Sequence, residues 1–147
     1  MNVLTQPGHH GTMPVIDSTK APVFTYTMPG VETKAGIPHL TVRGLASPSR
    51  GSTQTCVWRM TIAPGTPPRM GVVSHEEIFV LLSGNAVVTL DEGERPLNEG
   101  DTLIMPPNTT FGLSNPHDKA VEMMVILPVG GKAIAPGMEP FTPPWAE

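Results

Sequence analysis

GTPPRMGVVSHEEIFVLLSG, residues 65–84, and GDTLIMPPNTTFGLSN, residues 100–115, form the stretch whose reading decides the fold. Each segment opens at a glycine and closes at a glycine or asparagine, with short apolar runs between. The run EIFVLL at 77–82 is apolar at both parities, as expected of a strand covered on both faces. Ser83-Gly84-Asn85 predicts a tight turn, because Gly and Asn accept positive φ. AVVTL at 86–90 returns as its partner. TLIM at 102–105 predicts a strand stopped by Pro106-Pro107-Asn108, and FGLS at 111–114 one closed by Asn115-Pro116.

Outward from this centre the same grammar continues. Residues 55–62, TCVWRMTI, alternate cleanly, so Cys56, Trp58, Met60 and Ile62 share one face and Val57, Arg59 and Thr61 the other. VFTYT at 23–27 and LTVR at 40–43 predict earlier strands, and AVEMMVIL at 120–127 a late one. Residues 91–94 and 98–101 read as exposed turns. The proline-rich tail from Pro128 is expected to run extended over the surface. Residues 1–20 are polar and turn-rich and read as a flexible N-terminal arm, leaving 21–147 as one domain.

With 18 Pro and 15 Gly in 147 residues, long helices are excluded, since proline removes a backbone donor and clashes inside a helix. Many short strands between such breakers mean an all-β sandwich or barrel. A net charge of −4 gives no basic footprint for nucleic acid or an anionic membrane. The lone cysteine, Cys56, cannot make an internal disulfide and reads as a small buried hydrophobe. The N-terminus lacks a secretory pattern, and no run reaches the roughly 18 apolar residues of a membrane span. The expectation is a cytoplasmic protein.

The central stretch resembles the two motifs of the cupin family, G-x5-H-x-H-x3-E-x6-G and G-x5-P-x-G-x2-H-x3-N. Gly65, Glu77, Gly84, Gly100, Pro106 and Asn115 match, with fifteen residues between the motifs. Gly71, Val73 and Phe111 stand where the family has metal-binding histidines, and Asn108 stands at a turn glycine. The resemblance implies a small jelly-roll barrel (a double-stranded β-helix) whose interior holds the ligand. It also implies a homodimer in which the outer apolar residues Ile78, Val80 and Leu82 are covered. In metal-binding members three histidines and a glutamate grip a divalent ion. Residues 71, 73 and 77 share one strand parity and would point inward. A first-row ion needs about three protein ligands, which these substitutions remove, so no metal cofactor is expected.

Several side chains then become candidates. Glu77, expected among Val73, Phe79, Leu81 and Phe111, would have its pKa raised by desolvation and could act as a general acid or base. Alternatively Arg59 or His75 pairs with it and the group is structural. His75 shares the parity of Glu77 and would face inward if the strand runs unbroken, as a second acid/base or, with His117 or His39, in a rearranged metal site. The competing reading has His75 at the strand mouth, bonded locally. Arg59 either faces the pocket as a ligand contact or is solvated while Trp58 faces in. Met70 is placed at the mouth of the cavity.

Replacing histidines by Gly, Val and Phe makes the pocket suit an apolar or aromatic small molecule. Three function classes follow. One is a metal-independent isomerase, cyclase, dehydratase or lyase using Glu77, and perhaps His75 with it. Another is a non-catalytic small-molecule binder. The third is a metal-dependent, dioxygenase-like protein with a rearranged His75/Glu77 site.

Overall fold

A computed structural model describes residues 13–147. The first twelve residues of the expected arm, with His9 and His10, lie outside the described residues. Within them the chain is built of eleven strands. These are β1 (Val23–Tyr26), β2 (Leu40–Ala46), β3 (Thr55–Ile62), β4 (Val72–Val73), β5 (Glu77–Ser83) and β6 (Ala86–Leu90). They continue with β7 (Gly93–Leu97), β8 (Thr102–Met105), β9 (Phe111–Ser114), β10 (Val121–Pro128) and β11 (Ala133–Ile134). No helix among the described residues is long and apolar enough to cross a membrane.

A six-stranded antiparallel sheet in the order β1-β2-β3-β10-β5-β8 faces a three-stranded sheet, β7-β6-β9, and the pair β11-β4. This is the jelly-roll arrangement the sequence implies. β3 and β10 bury every second residue, so that Cys56, Trp58, Met60 and Ile62 meet Val121, Met123, Val125 and Leu127 inside. The period-two pattern is the physical cause: successive side chains leave a strand on opposite faces. β5 follows suit, with Glu77, Phe79 and Leu81 inward and Ile78, Val80 and Leu82 outward.

Two turn positions explain how the sequence frame is met. Gly84 has φ +79°, and a Cβ there would lie 2.6 Å from the Ala120 carbonyl oxygen, so only glycine lets β5 turn past the start of β10. Asn108 also has a positive φ, 58°. Asparagine is among the side chains that tolerate this region, so the turn survives the departure from the family's glycine.

Three expectations change. Residues 93–97, GERPL, form β7 and not a simple turn: Pro96 sits on a strand with one free edge, where its missing N–H costs no ladder bond. The segment before Glu77 is interrupted, because β4 ends at Val73 and β5 starts at Glu77. The C-terminal tail keeps residues 136–141 exposed, as expected, but docks on either side of that stretch. β11 pairs with β4, Ala133 exchanges backbone hydrogen bonds with Phe141, and Pro143 and Ala146 are buried. Trp145 packs against Phe24 and Trp58 with ring centroids 6.0 and 6.2 Å apart. Arg50 and Ser49 anchor this end by donating to the carbonyl oxygens of Trp145 and Glu147. The sequence periodicity misleads because prolines flank Phe141 and Trp145, two aromatic residues that face the interior cavity.

The strand alternation gives a direct test at neighbouring positions. Leu81 is 1% exposed and Leu82 41%. Leu81→Ala should cost about 2–5 kcal/mol, and Leu82→Ala within about 0.5 kcal/mol, measured by urea unfolding. Equal losses at the two positions would contradict this register.

Candidate functional site

One cavity of about 230 Å³ lies between the sheets and opens beside the loop from Thr66 to Gly71. The chain has four Phe, two Trp and one Tyr. Six of these seven aromatic residues line the cavity, and the seventh, Phe24, packs against Trp145. Phe79 and Phe111 meet edge to face at 5.8 Å between centroids, a favoured aromatic geometry. Val73 and Met70 also line the wall, as expected from the sequence. Leu81 does not; it is fully buried in the core beneath.

The strands place these groups. Gly71 and Phe111 exchange backbone hydrogen bonds, each 2.9 Å, which bring the loop before β4 onto β9. A Cβ at Gly71 would stand 3.2 Å from the carbonyl oxygen of Ile134, so glycine also admits the C-terminal strand at close range. Gly71, Val73, Glu77 and Phe111 thus line the same cavity.

Glu77 is the polar exception inside. It is 6% exposed, and no ion pair or hydrogen bond to its carboxyl is found among the described residues. Burial alone raises its pKa from 4.5 to about 8, because an apolar surrounding disfavours the charged form. The carboxyl is therefore largely protonated at neutral pH and can donate a hydrogen bond there.

Two expected partners are elsewhere. His75 does not line the cavity. The interruption at 74–76 breaks the parity that would have turned it inward, and its Nδ1 lies 2.7 Å from the Ser74 hydroxyl. Arg59 is on the outer face, where its Nε donates to Glu122 Oε2 at 2.6 Å. Trp58 takes the inward position, so Arg59 is no cavity contact. Neither residue pairs with Glu77, which removes the structural reading in which one of them neutralises it. Cys56 is buried, and that burial pushes its thiol pKa up, away from a reactive thiolate.

The donor set can be tested against a metal. His39 Nδ1 accepts from the Met28 N–H at 2.9 Å, which leaves the proton on Nε2, 3.3 Å from the Glu32 carbonyl. Both its nitrogens are spent on backbone. His117 sits on the exposed turn after β9. Among the described residues no group of three His, Cys, Asp or Glu side chains is placed to hold a metal. Glu77 is the one carboxylate, imidazole or thiol side chain among the described residues that line the cavity, against the roughly three such ligands an ion needs. These residues do not fit a metal at the family's position, and the His75/Glu77 pair of the rearranged site is not assembled.

Sequence reasoning passed over several lining residues: Tyr26 on β1, Arg69 in the loop, and Phe141 and Trp145 in the tail. The Trp145 indole N–H is buried without an acceptor among the described residues. Aromatic residues in a proline-rich tail were the available signal, since such a tail has no other reason to carry them.

Comparison with known proteins agrees with this architecture. A family model described as a cupin domain matches residues 58–127, from β3 through β10. Over that stretch, just under half of the chain, the sequence is similar to the cupin family. Among solved structures, the polyketide cyclase RemF of Streptomyces resistomycificus superposes with a TM-score of 0.66 at 16% identity, covering 87% of this chain and 88% of that one. A cupin sugar phosphate isomerase of Silicibacter pomeroyi gives 0.62 at 19% identity, covering 85% and 83%. At such identities the likeness is one of fold. Auxin-binding protein 1 of Arabidopsis thaliana is 28% identical over 103 residues, 64% of this chain and 51% of its own. The chain therefore spans about half the length of that curated relative.

The buried carboxyl of Glu77 makes stability depend on pH. Its folded pKa is raised, so the folded state keeps a proton that the unfolded state gives up as pH rises through 4.5. Stability should then fall between about pH 4.5 and 8 and level off above, by on the order of 1 kcal/mol per pH unit. Glu77→Gln should remove this slope in chemical-denaturation curves. A wild-type slope that persists in the variant would assign it to other groups.

Proposed function

We propose that this cupin is a metal-independent enzyme that moves a proton on a small aromatic substrate, with Glu77 as the acid/base. The observation that carries this reading is the single unpaired carboxyl in a cavity walled by six aromatic residues. A cavity of about 150 Å³ holds benzene, so the space suits a molecule of one or two rings.

One carboxyl sets the class of reaction. The ionised carboxylate can take a proton from the carbon beside a substrate carbonyl, and the neutral carboxyl so formed can return it to the oxygen or to another carbon. A reaction that returns as many protons as it consumes needs no second group, which favours isomerisation or ring closure over hydrolysis. The names of two relatives of the same fold, a polyketide cyclase and a sugar phosphate isomerase, support such chemistry. Auxin-binding protein 1 supports a second reading, in which the cavity holds an aromatic ligand without turning it over.

Exchange of the α-protons of 2-tetralone in D2O, followed by NMR, separates the two. Enzyme action predicts catalysed exchange that follows the ionised fraction of Glu77, rising with pH towards a plateau above about 8. Glu77→Gln should slow it by about 100-fold or more, and a chelator should leave it unaltered. Binding of the ketone with no exchange would sink the catalytic reading and favour the binder.

We further propose that the protein works as a homodimer. Val57, Ile126, Ile78 and Ile104 stand opposite one another across four strands on the outer face of the large sheet. Ile104 is 59% exposed, so this β-branched row is open in a single copy. Size-exclusion chromatography with light scattering should give twice the chain mass, and Ile104→Glu should halve it. A wild-type mass of one chain would contradict the dimer.

A further inference from the structure

Of the side chains lining the cavity only two are charged, Glu77 within and Arg69 in the loop at its mouth. Arg69 is exposed, and among the described residues no carboxylate pairs with it and no hydrogen bond uses its guanidinium. It is nevertheless held in place. Its Cζ lies 4.8 Å from the centroid of the Tyr26 ring, within the range of a cation–π contact. The loop behind it is fixed by the Gly71–Phe111 hydrogen bonds and by Gly112, where a Cβ would fall 3.1 Å from the Arg69 carbonyl oxygen and 2.9 Å from Met70 Sδ. Gly112 thus admits the Arg69–Met70 backbone against β9.

A guanidinium held over an aromatic ring and engaged in no hydrogen bond keeps its N–H donors free. Those donors form a fork matched to the two oxygens of a carboxylate. A phosphate dianion at a buried site ordinarily draws on more donors than one side chain, and no lysine or second arginine lines this cavity.

We infer that Arg69 is a specificity-determining residue that selects aromatic carboxylic acids, seating the ring among the cavity aromatics and the carboxylate on the guanidinium at the mouth. The inference rests on the reading of the cavity as an aromatic-ligand site and names the ligand's polar group. The interior tolerates an anion at its mouth because Glu77 is itself uncharged at neutral pH. Arg69 touches the ligand and takes no part in proton transfer.

Calorimetric titration at pH 6.5 with 1-naphthylacetate and its neutral counterpart 1-naphthylacetamide tests this. The wild type should bind the acid about 10-fold tighter than the amide, the worth of one charge-assisted hydrogen-bonded pair. Arg69→Gln should abolish that preference while leaving the amide's affinity within about 2-fold and the melting temperature unaltered. Arg69→Lys, which keeps the charge but not the fork, should retain part of it. Equal binding of acid and amide by the wild type, or a preference that survives Arg69→Gln, overturns the role of Arg69 and leaves the aromatic cavity standing. Failure of both probes to bind overturns the aromatic-ligand reading and the inference with it.

Discussion

The register of β10 between β3 and β5 is the constraint on which the site depends. Ile126 stands opposite Val57 on one side and Ile78 on the other, which turns Val125 and its neighbours Trp58 and Phe79 to the interior. Because side chains alternate with a period of two, a slip of one residue would exchange the faces of a whole strand. In β3 it would bury Arg59 in place of Trp58; in β5 it would expel Glu77 and Phe79. The price of burying a long, ionised Arg59 fixes β3, and the apolar volumes of Trp58, Met60 and Ile62 fix it again from the other side. Glu77 itself argues for neither face on hydrophobic grounds. It is carried inward by Phe79 and Leu81 on the same strand.

That asymmetry explains what could be read from sequence. The β3 alternation and the apolar runs of β5, β6, β8, β9 and β10 are local signals, and the turn residues between them fix their ends. The inward direction of Val73, Glu77 and Phe111 was legible because the glycine and proline frame set the spacing. His75 was not, because parity counting assumes a continuous strand and the chain breaks at 74–76. Arg59 and Trp58 could not be separated by alternation, which gives two faces without saying which is inside; packing against Leu127 and Trp145 decides it. β4 and β11 are two residues each and owe their existence to each other across the fold, a long-range pairing that no window of sequence contains.

The C-terminal tail shows the same limit more sharply. Its prolines predict extended backbone, which holds at β11 and at Phe141 but gives way to turns and to a last 3₁₀ turn at Pro144–Ala146, and extended backbone can in any case lie on a barrel or close it. What closes it here is the aromatic content: Phe141 and Trp145 add their rings to those of Trp58, Phe79 and Phe111. The hydrogen bonds that Arg50 and Ser49 donate to the last carbonyl groups then hold the end of the chain against β2 and β3. Much of the apolar wall is thereby supplied by residues outside the two motifs, while both charged groups of the cavity, Arg69 and Glu77, lie within the first.

A carboxyl without a partner in such a wall is maintained against its own desolvation, since ionising it there is costly. An alanine or leucine at position 77 would relieve that cost and fill the strand equally well, and packing therefore gives no reason for a carboxyl. The physical property gained is a hydrogen-bond donor that is neutral at physiological pH yet can release its proton within reach of it. A cation at the mouth and a neutral acid inside create a gradient of polarity along the cavity: an anionic group is favoured at Arg69, and the remainder of the ligand meets rings and one exchangeable proton. Reversing the two, with the carboxylate at the rim and arginine buried, would repel an acid at entry and strand a charge within. On the proposed reading, that order would let an acidic aromatic ligand keep its charge near water while its ring is desolvated, which is the cheaper way to bury an amphipathic molecule.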